Sequence, residues 1–140
     1  MIVTLKFQEN DGGRSKYFKA KNVGDCVTRA AAIASGRDYK EVYDLIHRIT
    51  GSSPRDGVTK TATRKLMKEL GAEWHPTMTI GQGCVCHLRA FEIPMEGRIV
   101  CNVSGHITAV IDGVINDTYN PSRGGKRCVY GYWIFKQQKP

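Results

Sequence analysis

The sequence contains no long apolar run, and its first residues carry no recognisable export signal. No stretch approaches the roughly 18–20 apolar residues that a membrane-spanning helix requires. The opening segment MIVTLKFQENDGG lacks the charged region, the apolar region and the cleavage site of a secretory signal. These absences predict a soluble, cytoplasmic protein that does not insert into a membrane.

The chain also lacks the even number of cysteines that a fully paired disulfide framework needs. Because no export is predicted either, we expect reduced thiols. The cluster Cys84–His87 could supply zinc ligands, but its spacing differs from the separated Cys-x2–4-Cys pairs of structural zinc sites. We therefore expect no metal and no cofactor. The five cysteines are Cys26, Cys84, Cys86, Cys101 and Cys128.

Acidic residues are scarce relative to basic ones, with 13 Asp and Glu against 21 Lys and Arg and a formal net charge of +8. Such an excess predicts attraction to an acidic partner or to nucleic acid. No zinc-finger, helix-turn-helix or aromatic RNA-binding motif accompanies the basic residues, so nucleic acid is the weaker alternative. The densest basic clusters are Lys60/Arg64/Lys65/Lys68 and Arg123/Lys126/Arg127.

Helical patterns occupy the first half of the chain, whose length suits a single domain over residues 1–140. One helix is expected from Cys26 to about Ser35, with Asp25 as its N-cap and Gly36 as its stop. The segment RDYKEVYDLIHRITG predicts a second helix, because its apolar residues follow a helical period. A third is expected from about Thr59 to Leu70.

Strand patterns dominate the second half, in the segments GRIVCNV, HITAVI, GVINDTY and CVYGYWIF. The N-terminal alternation of Val3, Leu5 and Phe7 predicts a further strand, with RSKYFKA returning as a hairpin and CHLRAFEIP holding one helical turn. Trp74 is expected in a loop, lining a cleft or packing on the third helix, and Trp133 in the core. This order predicts an α+β fold with helices on one face of an antiparallel sheet of about four to six strands.

Cys26 lies where a loop becomes the first helix, in the segment NVGDCVTRAAAI. At that position the unpaired amides and the positive end of the helix dipole favour a thiolate. The alternative is that Cys26 is simply a small buried apolar residue, as free cysteines often are.

His106 and Asp117 supply a possible base and its orienting group. If Asp112-Gly113 is a two-residue hairpin loop, Thr108 pairs with Asp117, and alternating side chains bring His106 and Asp117 to one face while Asn116 points away. A carboxylate that holds one ring nitrogen fixes the tautomer of an imidazole that takes a thiol proton through the other. The expected shared face comprises His106, Thr108, Val110, Ile115, Asp117 and Tyr119.

These stretches, GDC at Cys26 and GHITAVIDG…NDTYNP around His106 and Asp117, resemble the papain-like superfamily of cysteine peptidases and amidases. The similarity is to small bacterial or phage members of the bacteriocin-processing and transglutaminase-like types, which for a phage protein implies the host cytoplasm. The resemblance implies a papain-like fold in which Cys26 is the nucleophile, His106 the general base and acid, and Asp117 the orienting residue.

The chain departs from this family upstream of the cysteine. Many relatives place a Gln about six positions before the nucleophile, where its amide helps form the oxyanion hole. Ala20 occupies that position here, and the nearest side-chain amide belongs to Asn22. Asn22 is therefore the candidate second donor beside the Cys26 amide. The basic loop PSRGGKRC is expected to rim the cleft and favour acidic groups.

The sequence thus predicts a cysteine hydrolase or acyltransferase acting on an amide, isopeptide or thioester bond in a peptide or protein. Two other functions stay open at this point. The same fold could serve as a non-enzymatic binding protein with a vestigial triad, which the missing Gln would favour. The basic charge could instead belong to a nucleic-acid-binding protein.

Overall fold

The structure, a computed structural model, describes residues 1–19, 24–54 and 57–136. Its three α-helices form where the sequence predicts them. The side chains of Asp38 and Thr59 cap the second and third helices by accepting backbone N–H bonds, and Gly36 and Gly51 end the first two in the left-handed conformation. The helices are α1 at Cys26–Ser35, α2 at Tyr39–Thr50 and α3 at Lys60–Glu69.

The described residues contain six strands, which are β1 at Lys6–Glu9, β2 at Glu73–Pro76, β3 at Arg98–Val103, β4 at His106–Ile111, β5 at Val114–Asp117 and β6 at Val129–Phe135. They form one mixed sheet in the order β1-β5-β4-β3-β6-β2. The predicted α+β class is confirmed, but the expectation of a wholly antiparallel sheet is wrong, because β1 pairs parallel with β5. Parallel pairing is possible here because all three helices and three strands separate the two in sequence.

The N-terminal segment differs from its predicted hairpin. Leu5 is buried, but Val3 and Phe7 are exposed, so the strand shows no alternation. A short 3₁₀ helix at Arg14–Lys16 replaces the returning strand. The side chain of Asp11 causes this change, because it accepts backbone N–H bonds from residues 13 and 15 and curls the chain into a turn.

Two further local predictions are wrong. Trp74 lies in strand β2 rather than in a loop, because Glu73–Pro76 pairs along the edge of β6. The segment CHLRAFEIP forms turns and a single β-bridge between His87 and Cys128 instead of a helical turn. Both differences depend on pairing with a strand more than 30 residues away in sequence, which no local pattern reveals.

The sheet is covered on both faces. The helices pack on one face, where the small side chains of Ala31, Ala34 and Ala109 let α1 approach β4 closely. The opposite face carries Ile99, Val110 and Ile115 and is covered by apolar residues of the segment from Cys86 to Ile93. None of the described helices is long and apolar enough to cross a bilayer.

Cys84 and Cys128 form a disulfide, so the expectation that all thiols are reduced is wrong for this pair. Their Cα atoms lie 5.7 Å apart, within the normal range for such a bond. The bridge between His87 and Cys128 and the bond from the Val129 amide to the Cys86 carbonyl bring the two segments together. Cys26, Cys86 and Cys101 are free.

Candidate active site

Cys26 is the first residue of α1, as the sequence predicts, and it is partly exposed at a cleft of about 590 Å³. The predicted side-chain cap by Asp25 is wrong. The Asp25 carboxylate turns inward instead and bonds to Arg29 and to the Tyr39 hydroxyl. The amides of the first helical turn are therefore not capped by that carboxylate, and the Cys26 N–H is among the amides without a partner inside the helix.

The hairpin between β4 and β5 has the predicted register. Asp112 and Gly113 both adopt positive φ, of 48° and 77°, as a tight two-residue turn requires. Backbone pairing runs from Ile111 and Val114 back to Ala109 and Asn116. One position farther along, Thr108 and Asp117 meet through their side chains, with 2.7 Å between Oγ1 and Oδ2.

His106 and Asp117 are in direct contact. The imidazole Nε2 lies 2.7 Å from the Asp117 Oδ2, and both side chains are nearly buried. Because Nε2 is engaged with the carboxylate, Nδ1 is the nitrogen left to serve the thiol. The Tyr119 ring packs against the imidazole at a centroid distance of 5.3 Å, which restricts the ring further.

The electrostatics of the three groups favour a charged pair. Burial opposes thiolate formation at Cys26, but hydrogen bonding to the His106 ring outweighs it and lowers the Cys26 pKa. Burial likewise opposes the imidazolium, yet the bonds to Asp117 and Cys26 raise the His106 pKa. The pKa of Asp117 is lowered despite its burial, because His106 and Thr108 both bond to the carboxylate. The lowered thiol pKa and the raised imidazole pKa together stabilise a thiolate–imidazolium pair.

The other two free thiols behave in the opposite way. Burial raises the pKa of Cys86, and the carboxylate of Glu92 adds to that effect. Cys101 is fully buried in β3, and the loss of solvation raises its pKa strongly. Of the three free cysteines, only Cys26 has a lowered thiol pKa, and it also lies beside a base.

A buried network of charged side chains around Asp25 and Arg29 contacts Asp117 of the site. This network was not predicted from the sequence. Arg29 bonds to Asp25 and places its Nη2 3.5 Å from Oδ1 of Asp117. The Tyr39 hydroxyl donates to the other oxygen of Asp25 at 2.8 Å, and Arg14 lies 3.4 Å from the same carboxylate. The spacing of Asp25 and Arg29, four residues apart at the start of a helix, was the available signal.

Aromatic side chains form one wall of the cleft. Trp74 packs on Trp133 at a centroid distance of 4.5 Å, and it remains 41% exposed. Trp133 is buried, as predicted, but its edge also lines the cleft, next to Tyr130. Of the two places expected for Trp74 from the sequence, the structure shows the cleft lining.

The predicted basic rim lies on a different element. No residue of the loop PSRGGKRC lines the cleft in the described part of the chain. Arg127 is instead buried, and its guanidinium donates to the carbonyls of Ser104 and Pro121. Lys60 and Arg64 of α3 line the cleft in its place.

The candidate oxyanion donor Asn22 and the neighbouring Ala20 lie outside the described residues. Among the residues that the structure describes, no three His, Cys, Asp or Glu side chains are grouped so that they could hold a metal ion. A second depression of about 550 Å³ lies between α1 and the β4–β5 hairpin, but its described lining contains neither cysteine nor histidine. The reactive groups thus meet at the first cleft.

No protein-family model, curated protein or solved structure matches this chain. The case for a function rests on the geometry and the electrostatics of the site itself.

Proposed function

We propose that this protein is a papain-like cysteine hydrolase in which Cys26, His106 and Asp117 act as nucleophile, general base and acid, and orienting residue. The observation that carries the proposal is the 2.7 Å contact of His106 with Asp117, beside a cleft-facing thiol of lowered pKa at a helix N-terminus. These roles require the imidazole to lie between the thiol and the carboxylate and to contact both. The substrate would carry an amide, isopeptide or thioester bond.

In the first half-reaction, the Cys26 thiolate attacks the substrate carbonyl carbon, and the carbonyl π electrons move to oxygen. The Cys26 N–H, which has no partner inside the helix, stabilises that oxyanion. When the tetrahedral intermediate collapses, the bond to the leaving group breaks, and the His106 imidazolium gives its proton to that group. The product is a thioester on Cys26.

In the second half-reaction, neutral His106 takes a proton from water as the water attacks the thioester carbonyl. Collapse then breaks the carbon–sulfur bond and releases a carboxylic acid, which restores the thiolate–imidazolium pair. An amine in place of water would give acyl transfer through the same steps. Throughout, Asp117 holds the ring orientation and stabilises its positive charge.

Alkylation with iodoacetamide tests the proposal directly. At pH 6 we expect Cys26 to react at least tenfold faster than Cys86 or Cys101, because only the Cys26 pKa is lowered. The Cys26 rate should fall as pH drops through that lowered pKa. Peptide mapping by mass spectrometry assigns the rate to each thiol.

The test variant is His106→Ala, and its matched control is His47→Ala. His47 is exposed on α2 and does not line the cleft. The first should slow Cys26 alkylation at pH 6 about tenfold or more, and the second should leave it unchanged. With p-nitrophenyl acetate, the wild-type protein should form an acetyl-thioester on Cys26. Hydrolysis of this thioester should be slower in His106→Ala than in the wild-type protein. Equal rates at all three thiols, or no response to His106→Ala, would support a non-enzymatic binding protein instead.

A further inference from the structure

The indole of Trp74 packs on a glycine of the neighbouring strand. A Cβ atom at Gly131 of β6 would lie 2.2 Å from Cη2 of Trp74, so the indole rests directly on the bare backbone of that residue. Trp133 supports the ring from one side. Despite this fixed position, 41% of Trp74 stays exposed at the cleft. A rigid, partly exposed indole beside a reactive thiol offers a flat contact surface for an apolar side chain.

Two cations face the same cleft from α3. Lys60 and Arg64 are one helical turn apart, both are exposed, and neither makes an ion pair with any described residue. Among the described residues that line the cleft, none is an Asp or a Glu. Charges gathered in a cleft raise the local concentration of opposite charge more than the same charges on a flat surface.

From these two features we propose that the cleft selects a peptide segment with an apolar or aromatic side chain against Trp74 and a carboxylate against Lys60 and Arg64. This inference rests on the proposed function, because the Cys26–His106–Asp117 site requires a carbonyl substrate. That requirement also favours a peptide over single-stranded nucleic acid, which stacks on aromatic rings and binds cations but offers no acyl group.

Paired small electrophiles measure the cleft without knowledge of the natural substrate. Iodoacetate and iodoacetamide differ in charge, and N-phenyl iodoacetamide adds an aromatic ring to the latter. We expect the iodoacetate/iodoacetamide rate ratio at Cys26 to fall roughly threefold to tenfold in Lys60→Ala/Arg64→Ala. The preference for the phenyl reagent should fall by a similar roughly threefold factor in Trp74→Ala.

Lys65→Ala/Lys68→Ala is the matched control, since it removes the same two positive charges from the same helix outside the cleft lining. It should leave both ratios unchanged. Added salt should lower the charge preference of the wild-type protein and leave the phenyl preference intact. Ratios that do not respond to Lys60, Arg64 or Trp74 would overturn the inference.

Protection of Cys26 from iodoacetamide identifies the occupant. The probes are acetylated pentapeptides with a central phenylalanine–glutamate, phenylalanine–glutamine or phenylalanine–lysine pair, amidated or with a free C-terminus, and an oligothymidylate. If the glutamate peptide protects Cys26 at least threefold better than the glutamine peptide, the cleft binds a side-chain carboxylate. If a peptide with a free C-terminus protects at least threefold better than its amidated form, the cleft binds a terminal carboxylate. Equal protection by all peptides, or best protection by the lysine peptide, would refute the carboxylate contact, and protection by oligothymidylate alone would refute the peptide.

The two proposals fail separately. A Cys26 no more reactive than Cys86 or Cys101, or one whose rate is unchanged by His106→Ala, would contradict the hydrolase even if the rate ratios at Cys26 change in the cleft variants. A reactive Cys26 whose rate ratios do not change in the cleft variants would be consistent with the hydrolase. It would contradict the proposed preference for an acidic, apolar peptide.

Discussion

At the residue scale, Asp117 holds the groups of the proposed catalytic site together because both of its oxygens have partners. Oδ2 accepts from His106 and Thr108, each at 2.7 Å. Oδ1 accepts from the Thr118 amide at 2.7 Å and lies near Arg29. A carboxylate restrained on both sides cannot rotate freely, so the imidazole keeps one orientation and one tautomer.

Replacing Asp117 with Asn tests this role with little change in shape. The amide removes the negative charge that raises the His106 pKa, so fewer imidazolium ions stabilise the thiolate and the Cys26 pKa rises. We expect the pH profile of Cys26 alkylation to move upward by about one pH unit. The control is Asp112→Asn in the turn of the same hairpin, whose profile should match that of the wild-type protein. An unmoved profile in Asp117→Asn would show that the carboxylate only fills space.

At the scale of secondary structure, the Trp74 ring of β2 packs on β6 at Gly131, which has no side chain. Trp74 covers Gly131, where an added Cβ would clash with the indole. The edge strand β2 is short, and its pairing with β6 spans four residue pairs. The indole contact therefore makes a large contribution to the position of β2.

Gly131→Ala should displace the Trp74 ring, and urea unfolding should show a loss of about 1–3 kcal/mol from overpacking. In a Trp74→Ala background, the same substitution should cost less, because the indole atoms are gone and the nearest remaining neighbour, the His75 carbonyl oxygen, lies 3.0 Å from the added Cβ. The difference between the two costs is the coupling between the residues. If the cost is equal in both backgrounds, the indole does not occupy the Gly131 surface in solution.

Elements with local signals were predictable, and elements set by distant pairing were not. Capping residues and terminal glycines marked α2 and its neighbours, and Asp112-Gly113 fixed the register that joins His106 to Asp117. The parallel partner of β1 and the strand character of β2 depend on segments far away in sequence, so no pattern in their own residues indicated them.

At the scale of the whole molecule, the two faces of the sheet are protected in different ways. Helices cover one face, and the segment from Cys86 to Ile93, which has no regular structure apart from one bridge, covers the other. The disulfide between Cys84 and Cys128 ties the start of that segment to the start of β6. It closes a loop with a sequence separation of 44 residues.

Reduction of this disulfide should lower the free energy of unfolding by about 2–4 kcal/mol, because the bond restricts the unfolded chain. Thermal unfolding with and without a reductant measures the change. A Cys84→Ala/Cys128→Ala variant should match the reduced wild-type protein and should not respond to reductant. An equal melting temperature of the wild-type protein in both conditions would contradict this prediction.

The grouping of Cys26, His106 and Asp117 was predictable from the sequence, but the surroundings of the group were not. Cys26 and His106 stood out because their chemistry is rare at the start of a helix and of a strand, and the hairpin register supplied Asp117. Arg29 escaped because its partner Asp117 lies 88 residues away, and Lys60 because only tertiary packing turns α3 toward the cleft. Cytoplasmic location and the single-domain assignment stay predictions.

The chain has two tryptophans, and both line the cleft that holds Cys26. All indole emission from the native protein therefore originates at the place where a substrate would bind. A ligand that displaces water from Trp74 should shift that emission toward the blue or quench it, without any attached dye. The unlabelled protein thus carries its own optical sensor for screening compounds against this cleft.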